Sequence, residues 1–139
     1  MVVLDTNVLS KLMRPAPSEA VVRWVAGRNG ASLYTTTVTQ AEILFGLALL
    51  PEGRRRNDLM AAAEMMFEED FFGRVLTFDG TAAVMFASIA AGRHRKGKPT
   101  STFDAQIAAI CRAQGAVLAT RNTADFQDCG IALMNPWEA

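Results

Sequence analysis

The spacing of hydrophobic residues along the chain switches repeatedly between that typical of strands and that typical of helices. This alternation predicts strands separated by helices. Short apolar runs bounded by polar turns have the length of strands, whereas longer stretches carry apolar residues three and four positions apart, as helices do. The predicted strands are residues 1–4, 32–35, 74–78, 116–119 and 131–134. Because helical stretches connect these short strands, the sheet should be mostly parallel, with helices on both faces.

The predicted helices differ in how their apolar residues are distributed. A helix capped by Thr6 or Asn7 follows the first strand, and Ser18 caps a second. The stretch Val38–Leu50 is apolar nearly all round, which predicts a buried helix. Later helices are predicted at residues 54–72, 81–91 and 103–111, with a basic loop at residues 92–99. Gly115 ends the last helix.

Residues 103–126 form the helix–strand–turn unit around which the chain is organised. Phe103 and Cys111 mark the ends of an apolar helix face, and a strand-length apolar run follows. Asp104 lies in the first turn of this helix, and Asp125 lies in the polar turn just after the strand. In open α/β sheets, ligands bind beyond the carboxyl ends of the strands, so Asp125 lies where a site is expected.

Composition limits the class of protein. The chain has 139 residues, half of them hydrophobic, which is enough for one folded domain over residues 1–139. Its 14 basic and 14 acidic residues give zero formal net charge, which argues against a polycation that coats nucleic acid nonspecifically. The two cysteines provide neither a zinc nor a disulfide framework. Asp5 interrupts the N-terminal apolar run, so we expect no signal peptide, no membrane span and a cytoplasmic location.

The placement of charge singles out a few acids. Asp5, Glu42 and Asp104 each lack a basic residue nearby in the sequence. They are the only charged residues of the stretches 1–10, 29–51 and 99–111. Burying a carboxylate is costly unless something compensates its charge. Asp125 shares a polar turn with Asn122, and if the strand before it lies beside the first strand, the acids meet at one edge of the sheet.

Converging carboxylates repel one another, and their pKa values rise when no cation is present. Mg²⁺ or Mn²⁺ would remove this repulsion, since both prefer oxygen ligands and keep water ligands free for substrate phosphates. The acids therefore predict a metal site, although Asp5 and Asp104 taken singly also fit ordinary helix caps. The basic stretches Arg54–Arg56 and Arg93–Lys98 fit either solvated surface or contact with a nucleic-acid backbone.

Six short segments form a specific combination of motifs. They are Val3–Asn7, Ala41–Gly46, Pro51–Arg55, Asp104–Ala109, Thr120–Phe126 and Asn135–Trp137. Together they resemble the PIN-domain nucleases, and most closely the VapC toxin group with its FitB-like branch. The resemblance implies a PIN-domain-like three-layer α/β/α sandwich around a mostly parallel sheet. It also implies Mg²⁺- or Mn²⁺-dependent cleavage of RNA by the toxin of a type II toxin–antitoxin system.

The same resemblance implies partners and site residues. The expected partners are an RNA substrate, a second copy of the chain in a homodimer, and a VapB/FitA-like antitoxin through which operator DNA is bound. The implied site residues are Asp5, Glu42, Asp104, Asp125, Thr6, Thr120 and Asn122. The four acids would hold the metal, and the Thr6 hydroxyl would support Asp5. Thr120 and Asn122 would be polar positions around them.

Other functions compete with this interpretation. A haloacid-dehalogenase-type phosphatase needs a second acid two residues after the first-strand aspartate, and that position is Asn7. A receiver domain needs an acidic pair at the same strand, which is absent. The alternative outside catalysis is a dimeric scaffold that binds operator DNA with its antitoxin and has weak nuclease activity. Chelation distinguishes the two, because it abolishes metal-dependent cleavage and spares DNA binding by a scaffold.

Overall fold

Five strands and six helices alternate along residues 1–139, all of which the computed structural model describes. The strands are β1 (Val2–Leu4), β2 (Leu33–Thr36), β3 (Val75–Leu76), β4 (Val117–Ala119) and β5 (Leu133–Met134). The helices are α1 (Thr6–Leu12), α2 (Glu19–Ala26), α3 (Thr37–Ala48), α4 (Arg54–Met65), α5 (Gly80–Arg95) and α6 (Thr102–Gln114). A π-helical turn (Met66–Asp70) continues α4, and 3₁₀ turns lie at Gly30–Ser32 and Thr123–Phe126.

The strands form one sheet in the order β3-β2-β1-β4-β5, and every neighbouring pair is parallel. The central strand is β1, in which Val3 lies opposite Tyr34 of β2 and Leu118 of β4. The strand order reverses at β1, because β2 and β3 lie on one side of it and β4 and β5 on the other. Open α/β sheets bind ligands at such a switch point, beyond the carboxyl ends of the strands. The predicted parallel sheet is confirmed.

Side chains of β1 alternate between the two faces of the sheet and divide the core into two clusters. Val3 belongs to the cluster that includes Ile107 and is covered by α5 and α6. Leu4 belongs to the other cluster, which includes Leu9 of α1 and Trp24 of α2. Helices therefore cover both faces, in agreement with the predicted three-layer sandwich.

Polar side chains next to the strands start the helices that carry the site. Asp5 is the N-cap of α1, rather than the predicted Thr6 or Asn7, because the helix begins directly after the end of β1. Ser101 caps α6 by accepting a hydrogen bond from the Asp104 N–H at 3.2 Å. At the other end of α6, Gly115 has a φ of 64°, the left-handed conformation that terminates many helices.

The prediction that the stretch Val38–Leu50 is a buried helix is wrong for one side of α3. Val38 and Ile43 are buried, whereas Phe45 and Leu49 are 64% and 69% exposed. The cause lies in the tertiary structure: α1, α4 and α6 contact α3 but leave part of its apolar circumference uncovered. An apolar composition thus predicted burial that only neighbouring elements can provide.

Tertiary contacts also move other predicted boundaries. The helix α5 continues to Arg95 and takes up part of the predicted basic loop, and its Arg93 is buried rather than solvated. The predicted helix 54–72 is interrupted, because α4 ends at Met65 and passes into the π-helical turn. Phe103, expected on the apolar face of α6, is 50% exposed at the start of that helix.

No helix combines the length and the apolarity that crossing a membrane requires.

Candidate active site

Asp5 follows β1 at the carboxyl edge of the sheet and is held through both carboxylate oxygens. Its backbone N–H donates to the Ala119 carbonyl of β4 at 2.9 Å. Oδ1 accepts from the Thr6 N–H at 2.8 Å, and Oδ2 accepts from Thr120 Oγ1 at 2.8 Å and Asn7 Nδ2 at 3.3 Å. Only 4% of Asp5 is exposed. Asp5 is therefore a preorganised carboxylate whose partners are all uncharged.

Thr120 follows β4 and connects the neighbouring polar groups. Its fully buried hydroxyl oxygen accepts from Asn7 Nδ2 at 3.2 Å and from the Asn122 N–H at 3.1 Å, in addition to donating to Asp5. Asn122 contributes this backbone N–H, while its residue is exposed. Asn7 is a site residue that the sequence interpretation missed, although it lies in the first motif. Its Oδ1 accepts from the Arg121 N–H at 3.2 Å, which closes the network between α1 and the β4 turn.

Glu42 is brought to the site by α3, and the structure corrects the expected role of Thr6. The Thr6 hydroxyl donates to Glu42 Oε1 at 2.8 Å and contacts Thr39 Oγ1 at 3.1 Å, whereas only the backbone of Thr6 supports Asp5. A hydroxyl has one proton, so Thr6 donates to Glu42 and accepts from Thr39. The fully buried Thr39 was also missed, because a threonine inside a helix is no signal of function.

Asp104 and Asp125 approach from the other side of β1. Asp104 lies in the first turn of α6, where it is only partly buried. Asp125 lies in the 3₁₀ turn after β4 and is exposed. The charge of Asp125 acts on Asp104, and the charge of Asp104 acts on both Asp5 and Glu42. The four acids are therefore electrostatically connected, with Asp104 as the common member.

Burial is the main cause of raised pKa values at the site. It raises the pKa of Asp5 from 3.8 to about 6, against the opposing hydrogen bonds from Thr120 and Thr6, and the charges of Asp104 and Glu42 add to the rise. Burial also raises the pKa of Glu42, and repulsion from the charge of Asp104 raises it further. The pKa of Asp104 is raised by its burial and by the charge of Asp125. The site thus resists carrying its full negative charge without a cation.

The chemistry of these donors fits a hard divalent cation. All are carboxylate oxygens, and the only salt bridge of the molecule joins Lys96 to Asp128, neither of which belongs to the site. No three acidic, histidine or cysteine side chains are grouped so that together they could hold a metal ion. Uncompensated carboxylates repel one another, and Mg²⁺ needs few protein ligands because it keeps several waters. An open, partly hydrated metal site is compatible with this arrangement.

A groove of about 800 Å³ opens beside the acids and is lined by α1, α3 and α4. We call it the α1–α3–α4 groove. Thr6 and Glu42 line it where it meets the site. Its apolar lining consists of Met13, Ile43, Leu47, Leu50 and Leu59. Arg14, Arg54, Arg55 and Asp58 also line it, so the groove combines apolar and predominantly basic surface next to an acidic site.

The parallel α/β sandwich carries acids at the carboxyl edge of its central strands, where open α/β sheets bind ligands. The family described as PIN domain matches residues 2–130, and the chain belongs to this family. The resemblance inferred from the sequence motifs is thereby confirmed.

Individual proteins are similar over the full length of the chain. The VapC ribonuclease Y4jK of Sinorhizobium fredii is 39% identical over 138 residues, covering 99% of each chain. Toxin FitB of Neisseria gonorrhoeae is 36% identical over 137 residues, again covering 99% of each. The crystal structure of FitAcB from Neisseria gonorrhoeae superposes with a TM-score of 0.93 at 36% identity, covering 100% of both chains. The similarity thus places the chain within the VapC and FitB group.

Proposed function

We propose that this chain is a Mg²⁺- or Mn²⁺-dependent endoribonuclease, the toxin of a type II toxin–antitoxin system, built as a single PIN domain over residues 1–139. The observation that carries the proposal is the set of four electrostatically connected acids without a basic partner at the carboxyl edge of the sheet. The names of two similar proteins, a ribonuclease and a toxin, support the activity and the biological role.

The surroundings of each acid indicate its role. Asp5 and Asp104 are the main metal ligands: Asp5 is the most firmly oriented of the four, and its Oδ1, which accepts a single hydrogen bond, keeps a lone pair free. Glu42 and Asp125 complete the ligand set, orient the attacking water or hold a second ion. Bound Mg²⁺ or Mn²⁺ would supply an activated water and stabilise negative charge on the scissile phosphate.

The uncharged residues keep the acids in place before substrate arrives. Thr120, Asn7 and the Thr6 N–H hold Asp5, and the Thr39–Thr6 hydroxyl pair orients Glu42. Such partners fix the direction of ligand lone pairs, and their loss typically weakens metal affinity about 10–100-fold. Thr6, Thr120 and the Asn122 backbone therefore support catalysis without contacting the substrate.

The test is cleavage of RNA by the purified chain in Mg²⁺ or Mn²⁺, with and without a chelator. Asp104→Asn should abolish cleavage and leave the fold intact, because it removes a ligand charge at nearly constant volume. Asp79→Asn is the matched control: Asp79 caps α5, and asparagine caps helices equally well. Products should carry 5′-phosphates, because water rather than the ribose hydroxyl attacks. Wild-type cleavage by Asp104→Asn, or cleavage that survives chelation, contradicts the proposal.

The proposal includes a homodimer and an antitoxin. The C-terminal segment of a VapB/FitA-like antitoxin would fold into the α1–α3–α4 groove, whose apolar residues can bind one face of it. An arginine of that segment would lie where the metal binds, because its planar fork can engage carboxylates bidentately. Phe45 of α3 and Leu49, which follows that helix, offer further exposed apolar surface for assembly. Operator DNA would be bound only through the antitoxin.

One observation favours the alternative of a dimeric scaffold with weak nuclease activity. No three of the acids are grouped so that together they could hold a metal ion, so metal binding by the free chain would be weak. The two functions give different results on chelation. Loss of RNA cleavage supports the nuclease, whereas DNA binding by the toxin–antitoxin complex that persists without any metal-dependent cleavage supports the scaffold.

A further inference from the structure

The acidic site leaves one buried charge unexplained. Arg93 lies in the last turn of α5, and only 7% of it is exposed. No carboxylate pairs with it, since the only salt bridge joins Lys96 to Asp128, and its Nε has no hydrogen-bond partner. A guanidinium keeps its charge at every physiological pH and is costly to bury unpaired. Packing alone would be served better by an apolar side chain, so Arg93 requires another explanation.

Arg93 contacts the backbone near the end of the turn that carries Asp125. Its Nη1 donates to the Gln127 carbonyl at 2.8 Å, two residues beyond the acid. The Cys129 thiol contacts the same carbonyl at 3.7 Å. Phe126, between the acid and this carbonyl, is buried in the core cluster under α5 and α6. The end of the 3₁₀ turn is thereby attached to α5.

The beginning of the same turn is attached to the central strands. The Asn122 N–H donates to Thr120 Oγ1 at 3.1 Å, and the Asp125 N–H donates to the Asn122 carbonyl at 3.1 Å. Asp125 itself is exposed, and no side-chain hydrogen bond orients its carboxylate. The distance between Asp125 and Asp104 therefore depends on the backbone between these two attachments, of which Arg93 supplies the second.

We infer that Arg93 is a positioning residue for Asp125, because it holds the Thr123–Gln127 turn so that this acid stays beside Asp104 at the metal site. The inference rests on the proposed metal-dependent function. Arginine suits the task, since its long side chain reaches from the helix to the turn and its planar fork loses less freedom per hydrogen bond than lysine.

The test measures Mn²⁺ affinity of the full chain from the free-Mn²⁺ signal in electron paramagnetic resonance, together with the melting temperature in EDTA. Arg93→Met keeps a long apolar side chain and removes every donor, and the Kd for Mn²⁺ should rise about tenfold. Lys96→Met is the matched control, because it removes a cation from the end of the same helix. Its bridge to Asp128 is 3.6 Å long and exposed, so the Kd should not change. Arg93→Lys should restore part of the affinity.

The Asp125→Asn background separates positioning from general stability. There, Arg93→Met should not raise the Kd further, because the acid that it positions has lost its charge. A lower melting temperature in EDTA with an unchanged Kd overturns the inference, as does an equal rise of the Kd in both backgrounds. If Arg93→Met does not fold, Arg93→Lys is compared in the two backgrounds by the same criterion.

Failure of the proposed function can be distinguished from failure of the inference about Arg93. Asp5→Asn that binds Mn²⁺ like the wild type refutes the metal site itself, whatever Arg93 does. If Asp5→Asn loses binding but Asp125→Asn keeps the wild-type Kd, the site stands without Asp125, and the inference about Arg93 is overturned.

Discussion

Without metal, the Asp5→Asn variant should be more stable than the wild type at neutral pH and less stable at acidic pH. Burial raises the pKa of Asp5 from 3.8 to about 6, so folding favours its protonated form. The resulting stabilisation is complete below the unfolded-state pKa and is lost as the pH rises through about 6. At about 1.4 kcal/mol for each pKa unit, the ionised carboxylate costs the metal-free wild type about 3 kcal/mol at neutral pH.

Asparagine removes this cost but loses one hydrogen bond. The amide oxygen can take the place of Oδ2, which accepts from Thr120 and Asn7, so the amide nitrogen takes the place of Oδ1 and meets the Thr6 N–H, another donor. A lost hydrogen bond costs about 1 kcal/mol. Metal-free Asp5→Asn should therefore be about 2 kcal/mol more stable than the wild type at pH 7.5, which corresponds to roughly 5–10 °C in melting temperature. At pH 4 it should be about 1 kcal/mol less stable, because the wild-type carboxyl is then protonated when folded.

The assay is thermal unfolding followed by circular dichroism in EDTA from pH 4 to pH 7.5, with Asp79→Asn as a control for an acid-to-amide change at an exposed helix cap. Millimolar Mn²⁺ should then raise the melting temperature of the wild type but not of Asp5→Asn, because ligands stabilise only the state that binds them. Parallel curves for wild type and Asp5→Asn across the whole pH range would refute the reasoning, since they would mean that burial does not penalise this charge.

Two further predictions concern the partners of Asp5 and the groove. Thr120→Val should lower the free energy of unfolding by about 1–3 kcal/mol, because it removes the buried hydroxyl that donates to Asp5 at 2.8 Å. Urea denaturation measures this free energy. An unchanged value would show that the hydrogen bond contributes nothing to stability. A short antitoxin peptide with one arginine should inhibit RNA cleavage in competition with Mn²⁺, since both neutralise the same acids. A double-mutant cycle between that arginine and Asp104→Asn measures the coupling from peptide binding, because this variant is not expected to cleave RNA. Zero coupling, together with metal-independent inhibition of the wild type, would mean that the peptide blocks the site from its rim.

The sequence by itself determined the order of the elements and selected the acids. Strand and helix periods are local properties, so the alternation of short apolar runs with amphipathic stretches was sufficient to predict a parallel sheet covered on both faces. Asp5, Glu42 and Asp104 stood out because each is a single charge in an otherwise uncharged stretch. Burying such a charge needs compensation, which is why the pattern by itself pointed to a cation.

Only the tertiary structure decided which groups meet. The sequence places Thr6 beside Asp5, but its side chain supports Glu42, which lies 36 residues further along the chain. The two meet because α1 packs against α3. Arg93 lies in a run of basic residues typical of solvated surface, yet its helix packs against α6 and buries it. Conversely, the apolar side chain of Phe45 stays exposed. Periodicity describes the faces of one segment, whereas burial and hydrogen bonding depend on which other segments cover those faces.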